Sequence, residues 1–401
     1  MARQRRSIRF AANRIEVEKT PPLPNVSEPN CSALLVWRQG TTIHLFSILE
    51  MVMKKFVLKI AAFCLPFIGL YLFNSLMYDP TEGDLARLAY LYNNPCPRTE
   101  IRSQFQLEKK YHLLSEINLE EDTQFDVLII GDSFSEQGKL GYKNFLAHQG
   151  LRVLHVDRFI SGVNPIQTLI ELSNSRIFER VKVDYVVLQS VERSFNQITQ
   201  DLDFNATLNL DSLQKQIKKH ENIPPKLEVE FFSDALFKIP LSNLQYLYSA
   251  KPPYSQTYIF PSSRPELFSH EPKNILIYQE DINKLDSKNN ADQTIHSIEA
   301  LSKIDKLLKQ QGIKLLSLIS PDKYDLYYPY LSGKEQLKAP LFFSHFNAYP
   351  KPFSSVKAFE ILQKQIASEK DIYYYDDTHW SPKGARLIAD AIFGIISDKK
   401  N

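Results

Sequence analysis

Cysteine is nearly absent: Cys31, Cys64 and Cys96 are the only three in 401 residues. None forms a CxxC pair or neighbours a histidine cluster, which excludes a zinc ribbon and a disulfide-framed domain. The nine histidines are scattered, with neither HExxH nor HxH among them, so the sequence offers no metal site; one built from carboxylates alone leaves no trace in such a search. An excess of one charge is also lacking, since 48 Lys and Arg face 46 Asp and Glu for a net +2. No global field is present to hold a polyanion, so nucleic acid is not an expected partner. Glycine is scarce, at 12, whereas Tyr and Phe number 20 and 25; that bias suits aromatic-lined surfaces such as sugar sites and equally suits a core. With 43% hydrophobic and 23% charged residues, the composition fits neither wholesale disorder nor a polytopic membrane protein. The length allows one large domain or two modest ones at roughly 100 to 200 residues each.

Long hydrophobic runs are missing save one. Ile60 to Met77 (IAAFCLPFIGLYLFNSLM) carries no formal charge and follows Lys54, Lys55 and Lys59. At about 1.5 Å rise per residue it nearly spans a hydrocarbon layer of about 30 Å. Asp79, Glu82 and Asp84 follow it, so the positive-inside rule predicts a cytoplasmic N-terminus and export of what comes after. The exit LFNSLMYD is bulky and lacks an A-x-A pattern, which favours an uncleaved anchor over 54–78 rather than a signal peptide. Upstream, Arg3, Arg5, Arg6, Arg9 and Arg14 and the Pro-rich TPPLPNVSEP show no sustained period, so 1–53 is expected to be a disordered extension. Met51 and Met53, just before KKFVLKIAAF, stand where an exported protein normally begins, and 1–50 thus includes the alternative of a mis-called start. Residues 79–120 read as a polar stalk or helical lead-in.

The informative region is 121–397. Apolar runs that read as buried strands occur at Phe125–Ile130, Leu151–Val156, Asp184–Gln189, Ile313–Ile319 and Ile372–Tyr375, and helix-period segments at Lys139–Gln149, Pro165–Arg180, Thr294–Gln311, Ser354–Ser368 and Pro382–Ser397. This alternation predicts an α/β three-layer sandwich with a mostly parallel central sheet. The stretch at about 195–290, punctuated by IPP, IPL, KPPYS and FPSSRP, breaks the pattern and is too long for a plain connection. It is expected to be an insertion or cap over the carboxyl edge of the sheet, where open α/β sheets bind ligands.

Two motifs carry chemistry. In DVLIIGDSFS a strand ends at Gly131, and Ser133 falls at the strand's carboxyl end, near the start of the next helical segment, where backbone N–H groups can stabilise an oxyanion. A serine hydroxyl is a weak nucleophile that needs a base within hydrogen-bond reach. In YYYDDTHWSPKGA, Ser381 is the expected N-cap and Pro382 the N1 residue of a helix, which leaves His379 on a strand-to-helix loop at the same sheet edge. An imidazole there can take the serine proton, and a carboxylate can orient it. Each motif alone is also compatible with an ordinary turn or capping loop; together they point to a catalytic serine.

These residues resemble the SGNH (GDSL) hydrolase superfamily. Gly131, Asp132 and Ser133 look like its first block, and Asp377, Thr378, His379 and Trp380 like its last. The DTHWSPKGA form is most similar to the SGNH-like acetyltransferase domain of the alginate O-acetylation proteins. Gln189–Ser194 (QSVERS) and Ser320–Tyr328 (SPDKYDLYY) are similar to that family's middle segments. The resemblance covers about 120–397 and implies an acyl-enzyme route in which Ser133 takes an acetyl group, His379 acts as base then acid, and Asp377 orients His379. Asp376, three residues before His379, fits the spacing usual in SGNH esterases and is the alternative orienter. Serine comes first and DxH last in this chain, whereas the alginate proteins place DxH upstream. For the oxyanion hole and substrate binding, the resemblance directs attention to Gly162 and Asn164 in ISGVNP, to Arg193 as a stand-in donor or a partner of Glu192, and to Asp132 and Trp380; no GxND block follows DYVVLQS.

The expected function is that of a membrane-anchored, exported O-acetyltransferase acting on a cell-surface or exopolysaccharide, with its N-terminus in the cytoplasm, its catalytic domain periplasmic and no cofactor. A multipass membrane protein is the implied acyl donor, since no acetyl-CoA site is evident. The alternatives are an SGNH carbohydrate esterase using water as acceptor, a non-catalytic glycan-binding scaffold, and D-alanylation of a teichoic-acid type.

Overall fold

The computed structural model describes residues 34–77, 83–91, 98–117, 123–213, 235–252, 255–271 and 273–398. The chain divides into two units, Met1–Gly69 and Leu70–Asn401. The long helix Leu34–Met77 contains the segment Glu50–Leu72, which is long and apolar enough to cross a membrane. This helix includes residues 34–53, which the sequence reading assigns to a disordered extension. LLVWRQGTTIHLFSILE contains no proline, and once the apolar run has nucleated a helix each further residue adds a backbone hydrogen bond. Residues 1–33 lie outside the described residues, as do Cys31 and Cys96.

The larger unit is built on a six-stranded sheet: β1 (His112–Leu113), β2 (Thr123–Ile130), β3 (Val153–Val156), β4 (Val181–Val191), β7 (Lys314–Ser320) and β8 (Ser354–Val356), in the order β1-β3-β2-β4-β7-β8. Every pairing in it is parallel, with Leu128 opposite Val186 and Val187 opposite Leu316. Period-2 alternation on the strands makes two faces. Val127, Ile129, Val187 and Leu318 share a core with Leu146, Leu362, Ile388 and Ile392 from the helices Tyr142–His148, Ala358–Ile366 and Pro382–Ser397. On the other face, Leu128, Ile130, Val186 and Leu188 pack against Ile166, Leu169, Ile298 and Leu301 from the helices Pro165–Asn174 and Ala291–Lys309. The result is the three-layer α/β sandwich that the sequence predicts.

Three local expectations need correction. Ile372–Tyr375 is no strand, although Tyr373 is fully buried. Only an isolated antiparallel bridge joins Tyr373 to Trp380. The carbonyls of Tyr374 and Tyr375 accept from the buried Lys323 Nζ, a partner that replaces a neighbouring strand. The fifth parallel pairing is instead made by β8, at residues read from sequence as the start of a helix. Nor is 79–120 merely a stalk, since β1 joins the sheet and Leu85 and Ile101 are buried in the unit.

Within the irregular stretch, β5 (Thr257–Pro261) and β6 (Asn274–Tyr278) form an antiparallel hairpin, and the helix Ala235–Tyr246 precedes it. Residues 214–234 of that stretch lie outside the described residues. Past β6, Asp281 and Lys288 reach the residues that follow β4 and β7, at the carboxyl edge of the sheet.

Candidate active site

Strand β2 delivers Ser133. After Ile130 the chain turns through Gly131 and Asp132 into a single 3-10 turn, Ser133–Ser135, capped by Asp132. Gly131 is required for space and not for a left-handed turn: a Cβ there would stand 2.4 Å from Gln189 Oε1 and 2.5 Å from Ser135 Oγ. Gln189 Oε1 accepts from Asp132 N at 2.9 Å and from Ser135 Oγ at 3.0 Å, which ties the turn to β4.

His379 reaches Ser133 from the other end of the sequence. The loop before it ends at Ser381, which caps the helix Pro382–Ser397 by accepting from Lys383 N. Lys323, fully buried after β7, donates to the carbonyls of Tyr374 (2.8 Å), Tyr375 and Asp377 (3.2 Å). The loop therefore closes around an ammonium group. In this frame His379 Nε2 lies 2.8 Å from Ser133 Oγ, and His379 Nδ1 lies 2.7 Å from Asp377 Oδ1. Phe134 packs against the imidazole, with ring centroids 4.6 Å apart.

Of the two adjacent carboxylates, Asp377 faces the imidazole and Asp376 faces Arg98. Arg98 Nη2 donates to Asp376 Oδ1 at 2.6 Å and to Asp377 Oδ2 at 3.0 Å. Burial pushes the Asp377 carboxyl up, but His379 and Arg98 beside it override this and hold it far below the usual carboxylate range. Burial alone would lower the pKa of His379; the carboxylates of Asp377 and Asp84 outweigh it and raise the group above its ordinary value. A hydroxyl on Nε2 and a carboxylate on Nδ1 are what general-base activation of serine requires.

These side chains border a cavity of about 910 Å³, with Arg98, Arg102, Arg158, Lys139 and Tyr374 on its wall. The other sequence candidates do not line it. Asp132 is a structural cap, its carboxylate accepting from Phe134 N and Val191 N. Trp380 is fully buried against Phe134, their ring centroids 4.7 Å apart. Asn164 caps the helix Pro165–Asn174 and gives its amide to Ile198 O, and Gly162 stands exposed in a left-handed turn with φ of 60°. Arg193 is bound by Asp322 at 2.8 Å and Asp281 at 3.3 Å, and not by Glu192. The residues that sequence reasoning missed, Asp84, Arg98 and Lys323, lie in segments that looked like a stalk or a weak motif.

Among the described residues, Glu192, Asp322 and Asp325 bring carboxylate oxygens within 4.8 Å of one another. Lys288 Nζ fills that position, 3.2, 2.8 and 2.7 Å from the three. Burial raises Glu192 well above the usual carboxylate range and pushes Asp281 up to about 8, in each case with a neighbouring carboxylate adding to the effect. The cations Arg193 and Lys288 thus lie among the carboxyl groups of Glu192, Asp281, Asp322 and Asp325, and the cluster braces the chain that follows β4 against the chain that follows β7.

Residues 277–401 match the family described as an SGNH hydrolase-like domain of the acetyltransferase AlgX. The carboxyl-terminal part of this chain is thus similar to an SGNH hydrolase-like domain. The same relationship appears against the probable alginate O-acetylase AlgJ of Pseudomonas fluorescens, which is 33% identical over 119 residues, 27% of this chain. The match spans only 29% of that relative's length. No solved structure matches. Both the SGNH-like acetyltransferase resemblance and the α/β class expected from the sequence therefore hold; the matched segment carries Lys323, Asp377 and His379, and Ser133 lies upstream of it.

Proposed function

We propose that the protein is a membrane-anchored serine O-acetyltransferase whose acceptor is an acidic polysaccharide. The observation that carries this reading is the Ser133–His379–Asp377 chain of contacts, at 2.8 and 2.7 Å, beside a cavity of about 910 Å³. In the first half-reaction Ser133 Oγ attacks the carbonyl carbon of an acetyl donor while His379 Nε2 takes the hydroxyl proton. The tetrahedral oxyanion collapses, the donor's leaving oxygen takes the proton back from His379, and acetyl-Ser133 remains. In the second half, a sugar hydroxyl gives its proton to His379 and attacks the acetyl-serine; the bond from the carbonyl carbon to Ser133 Oγ breaks, and His379 returns the proton to Oγ. Asp377 keeps Nδ1 protonated and stabilises the imidazolium without itself being protonated. The likeness to a probable alginate O-acetylase supports a polymer bearing carboxylates as acceptor; the cavity wall itself carries charges of both signs, Arg102, Arg158 and Lys139 beside Glu108 and Glu136.

The apolar helix anchors the chain in the cytoplasmic membrane, with the N-terminus inside and the larger unit exported; a multipass membrane protein supplies the acetyl group. Water in place of the sugar would make the same site an esterase. The test uses the full chain in detergent, given a chromogenic acetyl ester with and without uronate oligosaccharides and followed by mass spectrometry. Acetylated oligosaccharide, together with an acetyl group on Ser133 that disappears in Ser133→Ala and His379→Ala, is the expected result. Acetate release alone would make the protein an esterase, and absence of acetyl-Ser133 would leave a glycan-binding scaffold.

A further inference from the structure

The helix Asp84–Ala89 brings to the site a carboxylate that the acyl-enzyme scheme leaves unused. Asp84 Oδ2 lies 3.3 Å from His379 Nδ1, the nitrogen that Asp377 Oδ1 approaches to 2.7 Å. One proton on Nδ1 therefore faces two carboxylates. The placement is fixed by the backbone around it. Leu85 N and Ala86 N donate to Asp376 O at 3.0 and 3.4 Å, Gly83 N donates to Asp376 Oδ2 at 3.3 Å, and Thr257 Oγ1 donates to Leu85 O at 2.8 Å. A Cβ on Gly83 would stand 2.1 Å from Asp376 O and 2.2 Å from Arg98 Nη2, so only glycine lets the segment lie this close. Asp84 Oδ1 is held by Arg87 on the next turn, which leaves Oδ2 for the imidazole.

We propose that Asp84 is a positioning residue for His379, a second carboxylate on Nδ1–H that holds the imidazole toward Ser133 and shares the charge of the imidazolium. The proposal rests on the reading of Ser133 as nucleophile, and its atoms balance simply: the proton passes from Ser133 Oγ to His379 Nε2, Nδ1 keeps its own proton, and both carboxylates stay ionised throughout. The charged groups that bear on the imidazole are Asp377 and Asp84, which favour the imidazolium, and Arg193, which opposes it. Arg98 stands behind Asp377 and Arg87 behind Asp84. Opposite charges this close favour the protonated ring, and a base of higher pKa takes the serine proton more readily once deprotonated. Asp84 comes from the chain just past the apolar helix in sequence, so the catalytic unit is completed by a segment that sequence reading gives as a stalk or helical lead-in.

The experiment compares Asp84→Asn with the native full chain in detergent. The titration of His379 is followed by NMR of ¹³Cε1-labelled histidine and assigned by its loss in His379→Gln; acetylation of Ser133 by a chromogenic acetyl ester is timed in single turnovers across the same pH range. Asp84→Asn is expected to move the His379 midpoint and the acid limb of the rate downward together, and to lower the plateau rate about tenfold, the effect of removing one close charge from the imidazolium. Asp84→Glu is expected to restore the midpoint in part, which a purely structural role would not do. An unmoved midpoint in a folded Asp84→Asn overturns the proposal whatever the rate does. A midpoint that falls with Asp84→Asn while the native protein forms no acetyl-Ser133 upholds the contact with the imidazole and overturns the acyl-enzyme reading instead. If Asp84→Asn fails to fold, the Asp84→Glu midpoint decides, and one identical to that of Asp84→Ala counts against the proposal.

Discussion

Replacing Lys323 by methionine tests whether the loop that carries His379 is held from beneath. The substitution keeps the length and apolar stem of the side chain and removes its donors. Three buried carbonyls, on Tyr374, Tyr375 and Asp377, would lose the ammonium that serves them. An unsatisfied buried polar group costs roughly 1 to 3 kcal/mol, and the loop has little freedom to swing these carbonyls into water. Ser381 N bonds to Ile372 O at 2.9 Å and Leu85 N to Asp376 O at 3.0 Å, which fixes the segment at both ends. Desolvation of the ammonium in the native protein offsets part of the loss, so the low end of the range applies and the net destabilisation is about 3 kcal/mol. The catalytic effect is separate: the Asp377 carbonyl is among the three, and a displacement of about 1 Å at His379 costs on the order of 10²-fold in rate. Urea unfolding gives the first quantity, and single-turnover acetylation of Ser133, in conditions where Lys323→Met is fully folded, gives the second. A variant destabilised as predicted but acetylated at the native rate would refute the argument that Lys323 sets the geometry of the His379 loop.

The remaining predictions use the same assays. Asp377→Asn should lower the acetylation rate by up to about 10⁴-fold, as a wrong imidazole tautomer does, whereas Asp376→Asn should act mainly on stability by freeing Arg98; the reverse ranking would hand the orienting role to Asp376. Because the pKa of His379 is raised above its ordinary value, the base is lost to protonation at a higher pH than for a free histidine, and activity should rise with pH through a limb lying above about 6.5. Stability runs the other way. A raised histidine pKa stabilises the fold fully below the unfolded value and loses that contribution as pH climbs through the folded value, so the activity and melting-temperature profiles should slope in opposite directions across that window. Gly131→Ala should destabilise by about 1 to 3 kcal/mol through overpacking against Gln189 and Ser135, measured by urea titration, and a neutral effect would show that the turn after β2 has room to shift.

The fold was legible where the apolar pattern was strong. Phe125–Ile130 and Asp184–Gln189 carry the near-continuous apolar runs of parallel strands buried on both faces, and the helix Pro382–Ser397 starts and ends where its Ser381 cap and apolar period place it. Ile372–Tyr375 misled because four consecutive apolar or aromatic residues signal burial without saying what satisfies the backbone; a lysine some fifty residues earlier in the chain does so. Ser133 and His379 could be singled out because each follows an apolar run that ends in small or polar residues. The oxyanion candidates could not, because Gly162 and Asn164 have local jobs, a left-handed turn and a helix cap, that leave the same sequence trace as a functional block. Asp84 and Arg98 gave no signal, since a charged residue in a polar lead-in looks solvated until the segment is seen packed on the Asp376 carbonyl.

Hydrogen bonding within the sheet does not by itself bring Ser133 to His379, two residues 246 apart in sequence. Strand pairing sets the ends of β2, β4 and β7 side by side, but it leaves each following turn free to point elsewhere. Polar crosslinks remove that freedom. Asp132, after β2, accepts from Val191 N at the end of β4; Asp322, after β7, accepts from Arg193 and Lys288 and gives its own N–H to Glu192 Oε2 at 3.0 Å; Lys323, the next residue, holds the His379 loop. Each link uses a buried or half-buried charged or polar group whose isolation would be costly, so a shift of one turn would strand partners in the next. A rigid constellation at the sheet edge follows from that chain of obligations, and it explains why so many ionisable residues lie buried outside the cavity while only a few of them face the hydroxyl that reacts.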